Sequence, residues 1–137
     1  MSNWRKKADD EWSRVIRQVG KCEICKVPGI KGKKKGWVNL DAHHIITRGH
    51  TGYRHDLSNG ICLCKGCHKF KPWAPHQDHT QFIAILKSSR PGQYVWYLSN
   101  VVVVEKEIAG AIVKTYRPIE CRPELTSKRA YEMLKTM

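Results

Sequence analysis

Two Cys-x-x-Cys pairs, Cys22/Cys25 and Cys64/Cys67, constrain this chain more than any other feature. Each pair supplies two thiolates from one tight turn whose backbone amides stabilise the sulfurs, and Zn²⁺ takes four such ligands in a tetrahedron. Gly66 inside the second pair suits that turn. Six cysteines also fit a disulfide scaffold, but the paired spacing in a reducing compartment reads as a structural Zn²⁺ site. The pairs are separated by residues 26–63, well beyond the roughly 12 to 20 residues that close a small zinc finger, so something else is built between them. Cys62 and Cys121 are left over and read as small core residues.

The 137 residues suit one domain, 1–137, with a modest core. Lys and Arg number 25 against 12 Asp and Glu, giving a net charge of +13, and a field of that strength predicts a polyanionic partner. No membrane role is expected, because the longest apolar run, residues 101–104, falls far short of the ~20 residues of a spanning helix. The N-terminus, with Arg5, Lys6 and Lys7 ahead of Asp9, Asp10 and Glu11, lacks the order of a secretory signal. The expectation is a soluble, cytoplasmic protein.

Along the chain, Trp4, Ala8, Trp12, Val15, Ile16 and Val19 recur at helical spacing, predicting a helix within residues 1–20, capped by Ser2 and stopped by Gly20. Residues 26–36 form a basic loop. Alternation over 37–46 and the run 61–63 predict two strands, and 65–71 a short helix that Pro72 ends. Asp78 caps a further helix closed by Arg90-Pro91-Gly92. Residues 94–98, 101–105 and 111–116, rich in β-branched and aromatic side chains, predict an antiparallel β meander, with a last helix starting at Thr126 or Ser127. This divides the chain into an N-terminal helix (1–20), a zinc-stapled core (22–71) and a C-terminal extension (72–137), an α+β fold overall.

The segment between the cysteine pairs carries Asp41-Ala42-His43-His44-Ile45, then Asp56-Leu57-Ser58-Asn59, and the second pair runs directly into His68. This ordering of His44, Asn59 and His68 between knuckles resembles the HNH endonuclease family over residues 22–71. Thr47 departs from the Pro that many relatives carry there, which bears only on loop stiffness.

The resemblance implies a ββα-metal (His-Me) finger core and metal-dependent hydrolysis of DNA phosphodiester bonds. Such hydrolysis needs a deprotonated water and a cation to stabilise the phosphorane and the departing 3′ oxygen, and a neutral His is suited to take the proton. The family implies His44 as that base, with Asn59 orienting the site. It implies His43 and His68 as ligands of a catalytic Mg²⁺ or Mn²⁺, for which Zn²⁺ or Ni²⁺ can stand in. Neighbouring strand residues face opposite ways, which also favours dividing the two histidines' work. His50, His55, His76 and His79 read as solvated loop residues, the first two close to the site.

Phosphate contacts are expected from Lys33, Lys34, Lys35, Arg48, Arg54 and Lys69. Trp73, Tyr94, Trp96 and Tyr97 read as core rather than base-stacking residues. The expected partner is double-stranded DNA, cut on one strand or both, by a small phage-type or mobile-element enzyme of the homing or packaging-associated kind, monomer or homodimer. The competing reading is a zinc-stapled DNA-binding protein without hydrolytic activity.

Overall fold

The computed structural model describes residues 3–33, 36–119 and 126–137. Helix α1 (Trp4–Ile16) starts at Asn3, whose side-chain oxygen accepts from the Lys6 N–H at 3.0 Å, and ends through a 3₁₀ turn (Arg17–Val19) at Gly20. The cap is therefore Asn3; Ser2 lies outside the described residues. Ala8 and Trp12 are the buried residues of α1.

Strand β1 (Leu40–His44) pairs antiparallel with β2 (Gly60–Cys64), Leu40 opposite Cys64 and His44 opposite Gly60. The strand is shorter than the 37–46 alternation predicts, because Trp37 instead bridges back to Lys31 and closes the basic loop on itself. After β2 the chain makes one wide helical turn, Gly66–Phe70, closed by the Lys71 N–H donating to the Gly66 carbonyl at 2.9 Å; Pro72 permits no more. Helix α2 (His79–Ser89) is capped by Asp78, whose carboxylate accepts from the Gln81 N–H at 3.1 Å.

The expected meander is corrected here. Residues 94–98 lie not in a strand but in helix α3 (Pro91–Ser99), with Pro91 at its first turn, where its fixed φ favours a helix start. Aromatic residues suit strand and helix alike when buried, and Tyr97 is drawn into the core while Tyr94 and Trp96 pack half-buried against it. What remains is a two-stranded hairpin, β3 (Val101–Ile108) with β4 (Ala111–Pro118). Its two-residue turn, Ala109-Gly110, has φ of 52° and 82°, both in the region that a tight hairpin demands. Helix α4 (Ser127–Leu134) starts at Thr126 and returns to α1, with Tyr131 against Trp4 at 5.7 Å between ring centres and Arg14 donating to the Leu134 carbonyl at 3.1 Å. The fold is thus mixed α and β with two small antiparallel sheets.

The core is formed by Leu40, Ile45, Ile61, Leu63, Phe82 and Leu86 with their neighbours, and includes Cys62; Cys121 lies outside the described residues. Helix α1 crosses β2 at Gly60 so closely that a Cβ there would lie 2.6 Å from Ile16 Cγ1 and 2.7 Å from Trp12 Cζ2. Gly60→Ala is expected to cost about 1–3 kcal/mol, as overpacking of a filled core does, and to lower the melting temperature. An unchanged melting temperature would mean that α1 yields freely at this contact.

Candidate active site and metal centres

The four knuckle cysteines converge: the Sγ atoms of Cys22, Cys25, Cys64 and Cys67 all lie within 4.8 Å of one another, with Cys25 and Cys64 at 3.6 Å. A tetrahedron with metal–sulfur bonds of ~2.3 Å has edges of about 3.8 Å, so the spacing fits Zn²⁺. The Cys67 N–H points at Cys64 Sγ (3.4 Å). Burial pushes the Cys22 thiol up, but backbone N–H groups of Cys64, Cys25 and Ile24 outweigh it and draw the thiol down to about 7, favouring thiolate. Glu23, inside the first knuckle, accepts from the Cys62 N–H at 2.9 Å and pairs with Arg90 at 3.0 Å, tying the knuckle to β2 and to the start of α3.

Strand β1 presents Asp41 and His43 at alternate positions. His68, on the wide turn after β2, donates from Nδ1 to Asp41 Oδ2 at 2.9 Å; Asp41 also binds Lys65. Burial raises the Asp41 carboxyl, but its bonds to Lys65 and His68 prevail and hold it below the usual carboxylate range. With Nδ1 protonated, His68 Nε2 carries a lone pair, and two further ring nitrogens face it: His43 Nδ1 at 3.2 Å and His76 Nε2 at 2.9 Å. One lone pair does not satisfy two N–H donors. Three lone pairs around a cation do satisfy this geometry, since ligand nitrogens at ~2.1 Å lie about 3.0 to 3.4 Å apart. Burial, with the nearby His68 and His76, depresses His43 to about 2, so its ring is neutral and able to ligate.

His44 turns to the other side of β1. Its ring stacks on Trp12 at 3.8 Å with 9° between planes, and its Nε2 lies 2.9 Å from the Arg54 carbonyl. A carbonyl only accepts, so Nε2 bears the proton and Nδ1 keeps the lone pair. Burial lowers the His44 pKa, which keeps the ring neutral at physiological pH. Asn59 is fully buried where β2 begins. Its Oδ1 accepts from the Ile46 N–H at 2.7 Å, and its Nδ2 donates to the carbonyls of Ile46 (2.8 Å) and Tyr53 (3.1 Å), pinning the loop that follows His44.

His43 and His44 share a cleft of about 320 Å³ with His76, His79, Tyr97 and Tyr116. The hairpin forms its far wall, anchored where the Tyr53 hydroxyl donates to the Ile119 carbonyl at 2.8 Å. Lys33, Arg48 and Lys69 are exposed. Lys34 and Lys35 lie outside the described residues. The Arg54 guanidinium is engaged by Asp9, through Nε at 2.9 Å and Nη2 at 2.7 Å. His55 is buried against the same carboxylate rather than solvated as expected.

Two residues of this centre were not assigned a role from sequence. Asp41 is findable in retrospect, because period-two alternation puts it on the face of His43. His76 carries no local signal; turns at Ala74 and Gln77 bring it back over His68.

Two Cys-x-x-Cys knuckles framing a strand pair, with histidines converging at its end, define a mixed α and β unit with two side-chain groups able to hold a metal ion. Residues 22–71 match the HNH endonuclease family model, a similarity over this segment that points to nuclease activity in general. No curated protein and no solved structure matches the chain. Among the described residues no helix is long and apolar enough to cross a membrane.

Proposed function

We propose that the protein is a divalent-metal-dependent DNA endonuclease that hydrolyses phosphodiester bonds, with β1, β2 and the Gly66–Phe70 turn acting as its ββα-metal finger. The observation that carries this reading is the meeting of His43 Nδ1, His68 Nε2 and His76 Nε2 beside a neutral, oriented His44. His43, His68 and His76 would hold the cation, and Asp41 fixes the tautomer of His68. Bound there, a divalent cation supplies positive charge for the phosphate oxygens and the leaving 3′ oxygen. His44 Nδ1 accepts the proton of the attacking water, while Nε2–H stays bonded to the Arg54 carbonyl and supports the charge that develops on the ring. Asn59 keeps the loop after His44 from moving during that transfer. The net charge of +13 favours the DNA backbone as the bound polyanion, with exposed Lys33, Arg48 and Lys69 available to phosphates.

The test is relaxation of supercoiled plasmid by purified protein with Mg²⁺ or Mn²⁺ against EDTA. Nicked or linear product only with metal is the expected result, and DNA binding without any cutting would favour a zinc-stapled binding protein instead. His76→Ala is expected to raise the metal concentration for half-maximal rate by at least about tenfold, the scale on which losing even a ligand's hydrogen-bond partner acts. An unaltered metal dependence would leave His76 outside the centre.

A further inference from the structure

Helix α1 lies outside the matched segment, yet it touches the candidate base through Trp12 and holds the loop that carries the base's hydrogen-bond partner. Trp12 stacks on the face of the His44 ring, and its indole N–H donates to the Asp56 carbonyl at 2.9 Å. One helical turn earlier, Asp9 sits on the same side of α1. Its Oδ2 pairs with Arg54 Nη2 at 2.7 Å, and its Oδ1 accepts from Arg54 Nε at 2.9 Å and from His55 Nε2 at 2.8 Å. Three consecutive loop residues, Arg54, His55 and Asp56, are therefore held by α1. The first of them provides the carbonyl that fixes His44.

We propose that Asp9 is a positioning residue for His44: by binding Arg54 and His55 it sets the Arg54 carbonyl that selects the tautomer and orientation of the base. This rests on the nuclease reading above. An exposed ion pair contributes little, but here the Arg54 side chain is only 15% exposed and the pairing is bidentate, the arrangement in which geometry is transmitted. Burial raises the Asp9 carboxyl, but the bonds from Arg54 and His55 prevail and hold it below the usual range, so all three contacts persist at neutral pH. The same contacts commit Arg54 to the loop rather than to a DNA phosphate. The N-terminal helix is thereby part of the machinery and not only packing.

Asp9→Asn in the full-length protein tests this. Plasmid cleavage should show kcat reduced about 10- to 100-fold, the scale of an ångström-sized misplacement, with KM within about twofold of the parent. In a His44→Ala background the same change should cost nothing further, because there is no base left to position. The ¹⁵N shifts of the His44 ring should move from a single Nε2–H tautomer to a mixture. Equal losses in both backgrounds, or a raised KM with kcat kept, would overturn the proposal, the latter by making Arg54 a substrate contact. Should Asp9→Asn fail to fold, Arg54→Met breaks the same ion pair from the loop side while keeping the acceptor carbonyl, and must produce the same kcat loss. A parent protein that cuts nothing with any divalent metal would remove the nuclease reading, and the ¹⁵N signature would then still decide whether Asp9 sets the ring.

Discussion

His44→Ala is expected to lower DNA cleavage by about 10²- to 10⁴-fold while DNA binding and overall fold persist, because a positioned general base contributes on that scale. The ring lies at the end of β1, outside the buried hydrophobic cluster, and its loss removes the stack on Trp12. Burial lowers its pKa, so protonation inactivates it only below the ordinary histidine range. The cleavage rate should accordingly rise with pH through an acid limb below about 6.5 and then level off. Plasmid nicking over a pH series, alongside circular dichroism and a DNA-binding titration of the variant, checks both statements. Near-parental cutting by folded His44→Ala protein refutes the role, and an acid limb that survives in that variant but vanishes in His43→Ala exchanges the roles of the two histidines.

Loss of the zinc that the four cysteines are proposed to hold should have the second large effect. The knuckles join the turn after α1 to the end of β2 across residues 26–63, and Cys22 and Cys67 are completely buried. Without the metal, four sulfurs within 4.8 Å of one another become a cluster of thiols and thiolates that no longer holds these segments together. Structural zinc sites contribute directly to folding free energy. Elemental analysis should find one zinc per chain at this site, and Cys22→Ser should destabilise the protein by several kcal/mol, seen as a large fall in melting temperature. The β1–β2 pairing and the Asp41–His68 contact both depend on the second knuckle staying in place, so metal-dependent cleavage should fall along with stability. Absence of zinc from the purified protein, or an unchanged melting temperature for Cys22→Ser, contradicts this account.

Much of the site could be read in advance because its signals are short. Cys-x-x-Cys turns, the caps at Asp78 and Thr126, the stop at Pro72 and the alternation that separates His43 from His44 each depend on a few neighbouring residues. The helical outcome for residues 94–98 was not legible, since burial of aromatic side chains satisfies either periodicity over so short a run. Nor was the setting of Arg54 and His55. Both stand in a basic, histidine-bearing loop that reads as a phosphate contact until Asp9, 45 residues away from Arg54, is found against it.

By itself, then, the sequence determined the paired cysteine knuckles, the strand pair that bears the histidines and the excess of positive charge, all properties of residue chemistry and near-neighbour geometry. Only the tertiary structure decided that His76 joins His43 and His68, that α4 packs back on α1, and that α1 braces the loop orienting His44. Those contacts link segments far apart in the chain, and their strength comes from burial and convergent hydrogen bonds that exist only once the core around Leu40, Ile61 and Phe82 has closed.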